Sequence, residues 1–193
     1  MLMSLRLLAA FIVVALFVVA CAEPPNKEMD QAQGAIDAAR AAGADRYAST
    51  EYTAATGALK RAQAAVAQGD YRQALNEALD SREHAQNAGR EAAEARAQLR
   101  GEVERDMAQI ASLIAEANTR LAAASRSRAS RRVIDAPRRE LAAVNERVQK
   151  AGAAMKADDY LTARTALQGV KERIEGAMKA LEAPAAQSSR RAR

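Results

Sequence analysis

The chain of 193 residues contains no tryptophan, one histidine, one cysteine, four prolines and nine glycines; its aromatics are two phenylalanines and four tyrosines. Each scarcity excludes something. One cysteine cannot form an internal disulfide, so stability must come from packing. One histidine and one cysteine are too few for a zinc site, which takes three or four such ligands. Without aromatic platforms beside its arginines, the chain is a poor binder of single-stranded nucleic acid. No proline occurs between Asn26 and Ala136, so nothing there forces a helix to end. Neither a G-x-S-x-G elbow, nor a phosphate-binding P-loop, nor a dinucleotide fingerprint is present. The expectation is a non-enzymatic chain with no metal and no cofactor other than a covalent lipid.

The lipid expectation comes from the N-terminus. Residues 1–6 carry a single positive charge, Arg6, and residues 7–20 are wholly apolar. That run is short for a bilayer span, which needs about 20 apolar residues, but fits a secretory signal core of about 7–15. It ends in Val18-Val19-Ala20-Cys21, which resembles the lipobox of bacterial lipoproteins. The resemblance implies a signal peptide over residues 1–20, cleavage between Ala20 and Cys21, and lipidation of Cys21. Residues 21–27, with Pro24 and Pro25, read as an extended tether. Ala22 follows the cysteine where inner-membrane retention signals of enteric-type bacteria carry Asp, so the resemblance implies the periplasmic face of the outer membrane.

Alanine, with Glu, Gln, Arg and Lys, dominates the chain beyond the tether, a composition of long helices or coiled coils. The fold expected is all-α: an elongated bundle of long antiparallel helices, made of two related αα-hairpins each preceded by a further helix. A first helix spans Glu28 to Ala42, with Met29, Ala32, Ile36 and Ala39 on one face and Gly43 as its cap. Ser49 or Thr50 is placed to cap the next helix, which presents Tyr52, Ala55, Leu59, Ala62 and Val66. Gln68-Gly69-Asp70 is a turn, and a third helix comes next with Tyr71, Ala74, Ala78, Ala85, Ala88, Ala92, Ala95 and Leu99 as its seam. At Leu99, Val103 and Met107 the spacing becomes two consecutive fours, a stutter that unwinds a coiled coil locally without stopping the helix. The first helical unit is thus expected over 28–124, an Arg-rich connection over 125–136, a second hairpin over 137–182 with Pro137 near its start, and a basic disordered tail over 183–193.

The chain repeats itself. Shifted by 89 residues, Glu51 to Ala88 aligns with Glu140 to Ala177 without a gap. Alanine matches are cheap in such a chain; the shared Asp-Tyr-x-x-Ala at Asp70-Tyr71 and Asp159-Tyr160 is the better signal. Gly69, Asp70, Tyr71, Asp159 and Tyr160 are therefore read as turn residues, with both tyrosine rings capping a seam while their hydroxyls reach solvent.

The stretch Ala42-Gly43-Ala44-Asp45-Arg46-Tyr47-Ala48, an Ala/Leu-patterned helix, and Gly69-Asp70-Tyr71-Arg72-Gln73-Ala74 together resemble an uncharacterised helical domain of Gram-negative lipoproteins. The resemblance covers roughly residues 26–100. Some members carry it ahead of an OmpA-like peptidoglycan-binding domain, which nothing here resembles, and Ser49 stands where the family usually has proline. It implies an exported, envelope-associated helical protein, and brings no catalytic residues with it.

Candidate chemistry is sparse. His84 lies among Arg82, Glu83 and Gln86 and reads as a solvated surface side chain. The acidic pairs around Asp158-Asp159 and Glu102-Glu104-Asp106 need a fixed cleft to act as acid and base, and a thin alanine-seamed bundle supplies none. Charge is more informative. Residues 21–117 hold 11 basic and 16 acidic side chains, net −5; residues 118–193 hold 17 and 8, net +9. Arg126, Arg128, Arg131, Arg132, Arg138 and Arg139 cluster at one connection and are candidate contacts for an anionic ligand. The functional expectation is a scaffold or adaptor held to the membrane by its lipid, with an envelope protein or a second copy as partner. The alternative is an envelope protein that binds lipopolysaccharide or anionic lipid through the arginines. Nucleic acid is not an expected partner.

Overall fold

A computed structural model describes residues 23–127 and 131–191. Their regular structure is entirely helical: α1 (Asn26–Ala41), α2 (Ala44–Tyr47), α3 (Ser49–Ala67), α4 (Tyr71–Arg126), α5 (Arg131–Lys156), α6 (Tyr160–Leu167) and α7 (Val170–Arg191). Long helices pack against one another in two compact units, one ending at Ala93 and the other starting at Glu94. The division falls inside α4, not at the arginine-rich connection where the sequence pattern suggests it, because α4 gives its first part to one core and the remainder to the other.

In the first unit α1 starts at Asn26, earlier than a tether to Lys27 allows. Pro25 holds the N-cap position at φ −77° and is buried; proline has no N–H to leave unsatisfied there. The helix ends at Ala41, and two residues on Gly43 adopts φ 87° while its N–H bonds the Arg40 carbonyl at 2.8 Å. Neither Ser49 nor Thr50 caps α3. Ala48 takes that position with no side-chain cap, because the site is buried against Ala39, Ala44, Ala88 and Ala92, where a hydroxyl would displace a methyl contact. Pairs between α3 and α4 step outward from their turn, Arg61 to Glu77, Ala55 to Ser81, Glu51 to His84, so the two helices are antiparallel. Helix α1 runs parallel to α4, with Gln31 bonded to Arg82 and Ala39 beside Gly89. The core is mostly alanine: Ala32, Ala55 and Ala85 with Ile36 and Leu59. Such small side chains let helix backbones approach closely; a methyl added at Gly89 would lie 3.9 Å from the Ala39 Cα.

In the second unit α5 begins at Arg131, so residues 131–136 are helix instead of connection, and Pro137 lies inside it. The reason is the seam. Ile134, Leu141 and Val144 are buried, as is Pro137, so the apolar stripe starts a turn earlier than the proline. Helix α5 packs on α6 and α7. The second arm of this hairpin is broken where the first is not: Gln168 is extended at ψ 127° and Gly169 has φ 71°. Helix α7 continues past Pro184 to Arg191, through the segment expected to be a disordered tail, whose Ala185, Ala186, Gln187 and Arg190 are good helix formers.

Burial follows the 89-residue repeat. Ala55, Ala62, Ala74, Ala78, Ser81, Ala85, Ala88 and Ala92 are buried, and so are their counterparts Val144, Ala151, Ala163, Leu167, Val170, Ile174, Ala177 and Leu181. The second copy places larger side chains at several of these positions. The continuation of α4, through Leu99, Val103, Ile110 and Ala117, runs parallel to α7, with Asp106 at Lys171 and Arg120 at Glu182. It thus stands to the second hairpin as α1 stands to the first.

Two paired substitutions test this. Gly69 has φ 75° and Gly101 does not, and an added methyl meets nothing within 4 Å at either. Gly69→Ala is expected to cost about 1 kcal/mol, whereas Gly101→Ala in mid-helix stabilises by about 0.5–1 kcal/mol; urea melts read both. Ile174→Ala is expected to lose about 2–5 kcal/mol to a cavity, and Ala85→Ile at the equivalent place about 1–3 kcal/mol to overpacking, each from the transition midpoint.

Candidate functional site

The turn residues come together as a repeated device. At the first turn the Gly69 N–H bonds the Val66 carbonyl at 3.0 Å, the Asp70 N–H bonds the Ala65 carbonyl at 3.0 Å, and Asp70 Oδ1 accepts from the Gln73 N–H at 2.9 Å. At the second, the Asp158 N–H bonds the Met155 carbonyl at 3.1 Å, Asp159 N–H bonds the Ala154 carbonyl at 2.9 Å, and Asp159 Oδ1 accepts from Thr162 N–H at 3.2 Å. Every partner is displaced by 89 residues. Asp158, at φ 55°, fills the left-handed position that Gly69 fills, a conformation Asp tolerates better than most residues. Tyr160 departs from expectation: it is buried, and its hydroxyl donates to Asp158 Oδ1 at 2.6 Å instead of reaching solvent. That bond to the carboxylate, with desolvation, raises the phenol's pKa above its ordinary value. Tyr71 is half-buried. These residues are structural.

Two side-chain bridges recur in the second copy, one with both partners displaced by 89 residues and one with only its cation so displaced, and sequence reasoning missed both. Arg82 donates to Gln31 Oε1 at 2.7 Å, while Lys171 donates to Asp106 Oδ1 and Gln109 Oε1, each at 2.6 Å. His84 Nδ1 lies 2.8 Å from Glu51 Oε2, and Arg173 pairs with Glu140. His84 is thus a bridge between α3 and α4, not a free surface side chain. The signal was available in the repeat: Glu51 aligns with Glu140, and His84 with Arg173.

The arginine candidates are only partly assembled. Arg128, like Ala20 and Cys21, lies outside the described residues. Arg131 and Arg138, a heptad apart on α5, line a cavity of about 430 Å³ with Ser125, Ile134 and Asp135. Arg126 is exposed, its Nε 3.4 Å from the Ala122 carbonyl. Arg139 is exposed as well. Among the described residues, Arg131, Arg138 and Arg139 make no hydrogen bond or ion pair. Arg131 and Arg132 also open a helix with no acidic residue in its first turn, against the preference of the helix dipole. Helix stability does not explain arginine there.

A second basic groove, with no mark in the sequence pattern alone, lies between α5 and α6. It encloses about 350 Å³ and is lined by Arg147, Lys150, Leu161, Thr162, Thr165 and Ala166. Among the described residues, no cluster of three or more His, Cys, Asp or Glu is placed to hold a metal ion, and no helix is long and apolar enough to cross a membrane.

Comparison with curated proteins and with solved structures finds no match. One family model does match: residues 27–103, which cover α1, α2, α3 and the first part of α4, are similar to a family described as a domain of unknown function (DUF4398).

Proposed function

We propose that the chain is a lipid-anchored protein of the bacterial envelope, held on the periplasmic face of the outer membrane, and that it works as a non-enzymatic helical scaffold or adaptor for another envelope protein. The observation that carries this reading is the sequence Val18-Val19-Ala20-Cys21 at the end of a 14-residue apolar run. An apolar run of that length suits export better than spanning, and a chain's only cysteine at its end suits lipidation. The helical part suits a scaffold. Two copies of a three-helix unit, cored by interlocking small and medium side chains, offer long charged helix faces to a partner.

One specific observation favours a second reading. Among the described residues, the exposed arginines Arg131, Arg138 and Arg139 of α5 have no internal partners, which suits an anionic lipid or lipopolysaccharide head group. On that reading, changing Arg126, Arg128, Arg131 and Arg132 together to alanine weakens salt-sensitive binding to anionic vesicles. Unchanged binding removes it.

For the anchor, Cys21→Ala is expected to leave the protein uncleaved and without lipid. Intact-mass spectrometry of the wild type should show a chain starting at Cys21 with more than one acyl chain, since one alone holds a protein only marginally. A wild-type mass equal to the unmodified 193-residue chain would overturn the anchor. For the scaffold, crosslinking in intact envelopes should join the protein to a defined envelope protein or to a second copy; recovery of the uncrosslinked monomer alone would overturn that part.

A further inference from the structure

We propose that the groove between α5 and α6 receives a carboxylate from an acidic helical segment of a protein partner, held by Arg147 and Lys150. The grounds are internal to the chain. The two copies share their turn caps and the Glu51–His84 bridge, repeated as Glu140–Arg173, position for position, and a second bridge from the equivalent cations Arg82 and Lys171. A third bridge of the first copy has no counterpart. There, Arg61 on α3 donates from Nε to Glu77 Oε2 on α4 at 2.8 Å. Eighty-nine residues on, Arg61 becomes Lys150, still a cation, but Glu77 becomes Ala166. At the same time buried Ala58 becomes Arg147, which is exposed. The second copy has lost the carboxylate and gained a cation, and a groove of about 350 Å³ stands where the ion pair was.

The groove's own groups do not neutralise these charges. Among the described residues Lys150 makes no hydrogen bond or ion pair, although Glu146 sits one turn back on α5. Arg147 uses Nη1 to bond the Gln168 carbonyl at 3.0 Å, at the break between α6 and α7. That bond steadies the guanidinium and leaves its other N–H groups to donate. The Thr162 hydroxyl donates to Asp159 Oδ2 and the Thr165 hydroxyl to the Leu161 carbonyl, each at 2.8 Å, so neither competes as a donor. Half-buried Leu161 and Ala166 supply an apolar floor. The first copy shows what fits such a place: a carboxylate carried by a helical side chain. An acidic helix laid along α6 presents that group with methylenes to meet the floor, and two cations favour a carboxylate through charge-assisted hydrogen bonds. This inference rests on the protein-scaffold reading and names the chemistry of the contact.

The test is titration of the isotope-labelled full-length chain, in neutral detergent micelles, with the blocked acidic peptide acetyl-Ala-Glu-Ala-Ala-Ala-Glu-Ala-amide. Wild type should show saturable amide shifts at Thr162, Thr165 and Ala166, and none at the equivalent Gln73, Asn76 and Glu77. Ala166→Glu supplies an internal carboxylate where Glu77 stands in the first copy, and should weaken binding about ten-fold, the loss of one charge-assisted contact. Lys150→Glu, at an exposed position, should do the same and serves if Ala166→Glu does not fold. Peptide binding unchanged in the folded variants overturns the proposal. So does wild type that binds phosphatidylglycerol vesicles through these residues but not the peptide. If envelope crosslinking finds a protein partner while the peptide fails to bind, the groove is wrong and the scaffold stands. If the peptide binds and no partner is found, the scaffold is wrong and the groove's chemistry stands.

Discussion

One helix must serve two cores. Helix α4 runs 56 residues, and its buried side follows Ala74, Ala78, Ser81, Ala85, Ala88 and Ala92 in the first unit, then Leu99, Val103, Ile110 and Ala117 in the second. A seam spaced by alternating threes and fours stays on one face of a slightly underwound helix. Two consecutive fours turn it. They occur across Leu99, Val103 and Met107, just past the point where the chain passes from one unit to the other. The change from alanine to Leu, Val and Ile occurs at the same place. Spacing and side-chain size therefore change together, and each three-helix unit gets a seam suited to its own core.

The difference in core size reaches the surface. In the first copy the alanine seam is accompanied by polar bridges, including the buried Ser81 hydroxyl on the Ala55 carbonyl at 2.8 Å. In the second copy Ser81 is replaced by Val170, and the arm that is continuous in the first copy is broken at Gln168–Gly169. The broken arm exposes the carbonyl that Arg147 holds. Inside, Val170 replaces the Ser81 hydroxyl bridge with an apolar contact, while outside Arg147 and Lys150 stand without a carboxylate partner among the described residues. The duplicated architecture thus matches Arg61 with Glu77 in one copy and leaves Lys150 without a carboxylate at the equivalent place in the other.

Much of this was legible in the residues. The 89-residue shift, the Asp-Tyr-x-x-Ala turns and the apolar periods lead to paired hairpins, each with a preceding helix, and the stutter at Leu99 to Met107 anticipates an uninterrupted α4. What escaped depends on packing between elements. Ser49 looks like an N-cap, but burial selects Ala48. Pro137 looks like a first-turn residue, but Ile134 and Leu141 draw the helix start back across it. The break at Gly169 was hidden because its counterpart, Asp80, lies in continuous helix. The groove needed both the repeat and the pairing of α3 with α4, since Lys150 and Ala166 mean little until Arg61 and Glu77 are seen to touch. Cys21 remains a reading of sequence alone.

Continuity of α4 through Arg100-Gly101-Glu102 is the claim on which the two-unit architecture rests, and amide hydrogen exchange along the full-length chain tests it most directly. Protection should run unbroken from Ala92 to Ile110, with fast exchange at amides that donate no hydrogen bond, such as Gly169 at its turn and Ser49-Thr50 at the uncapped start of α3. Fast exchange at residues 99–103, matching that of the turns, would show two separate helices and contradict it.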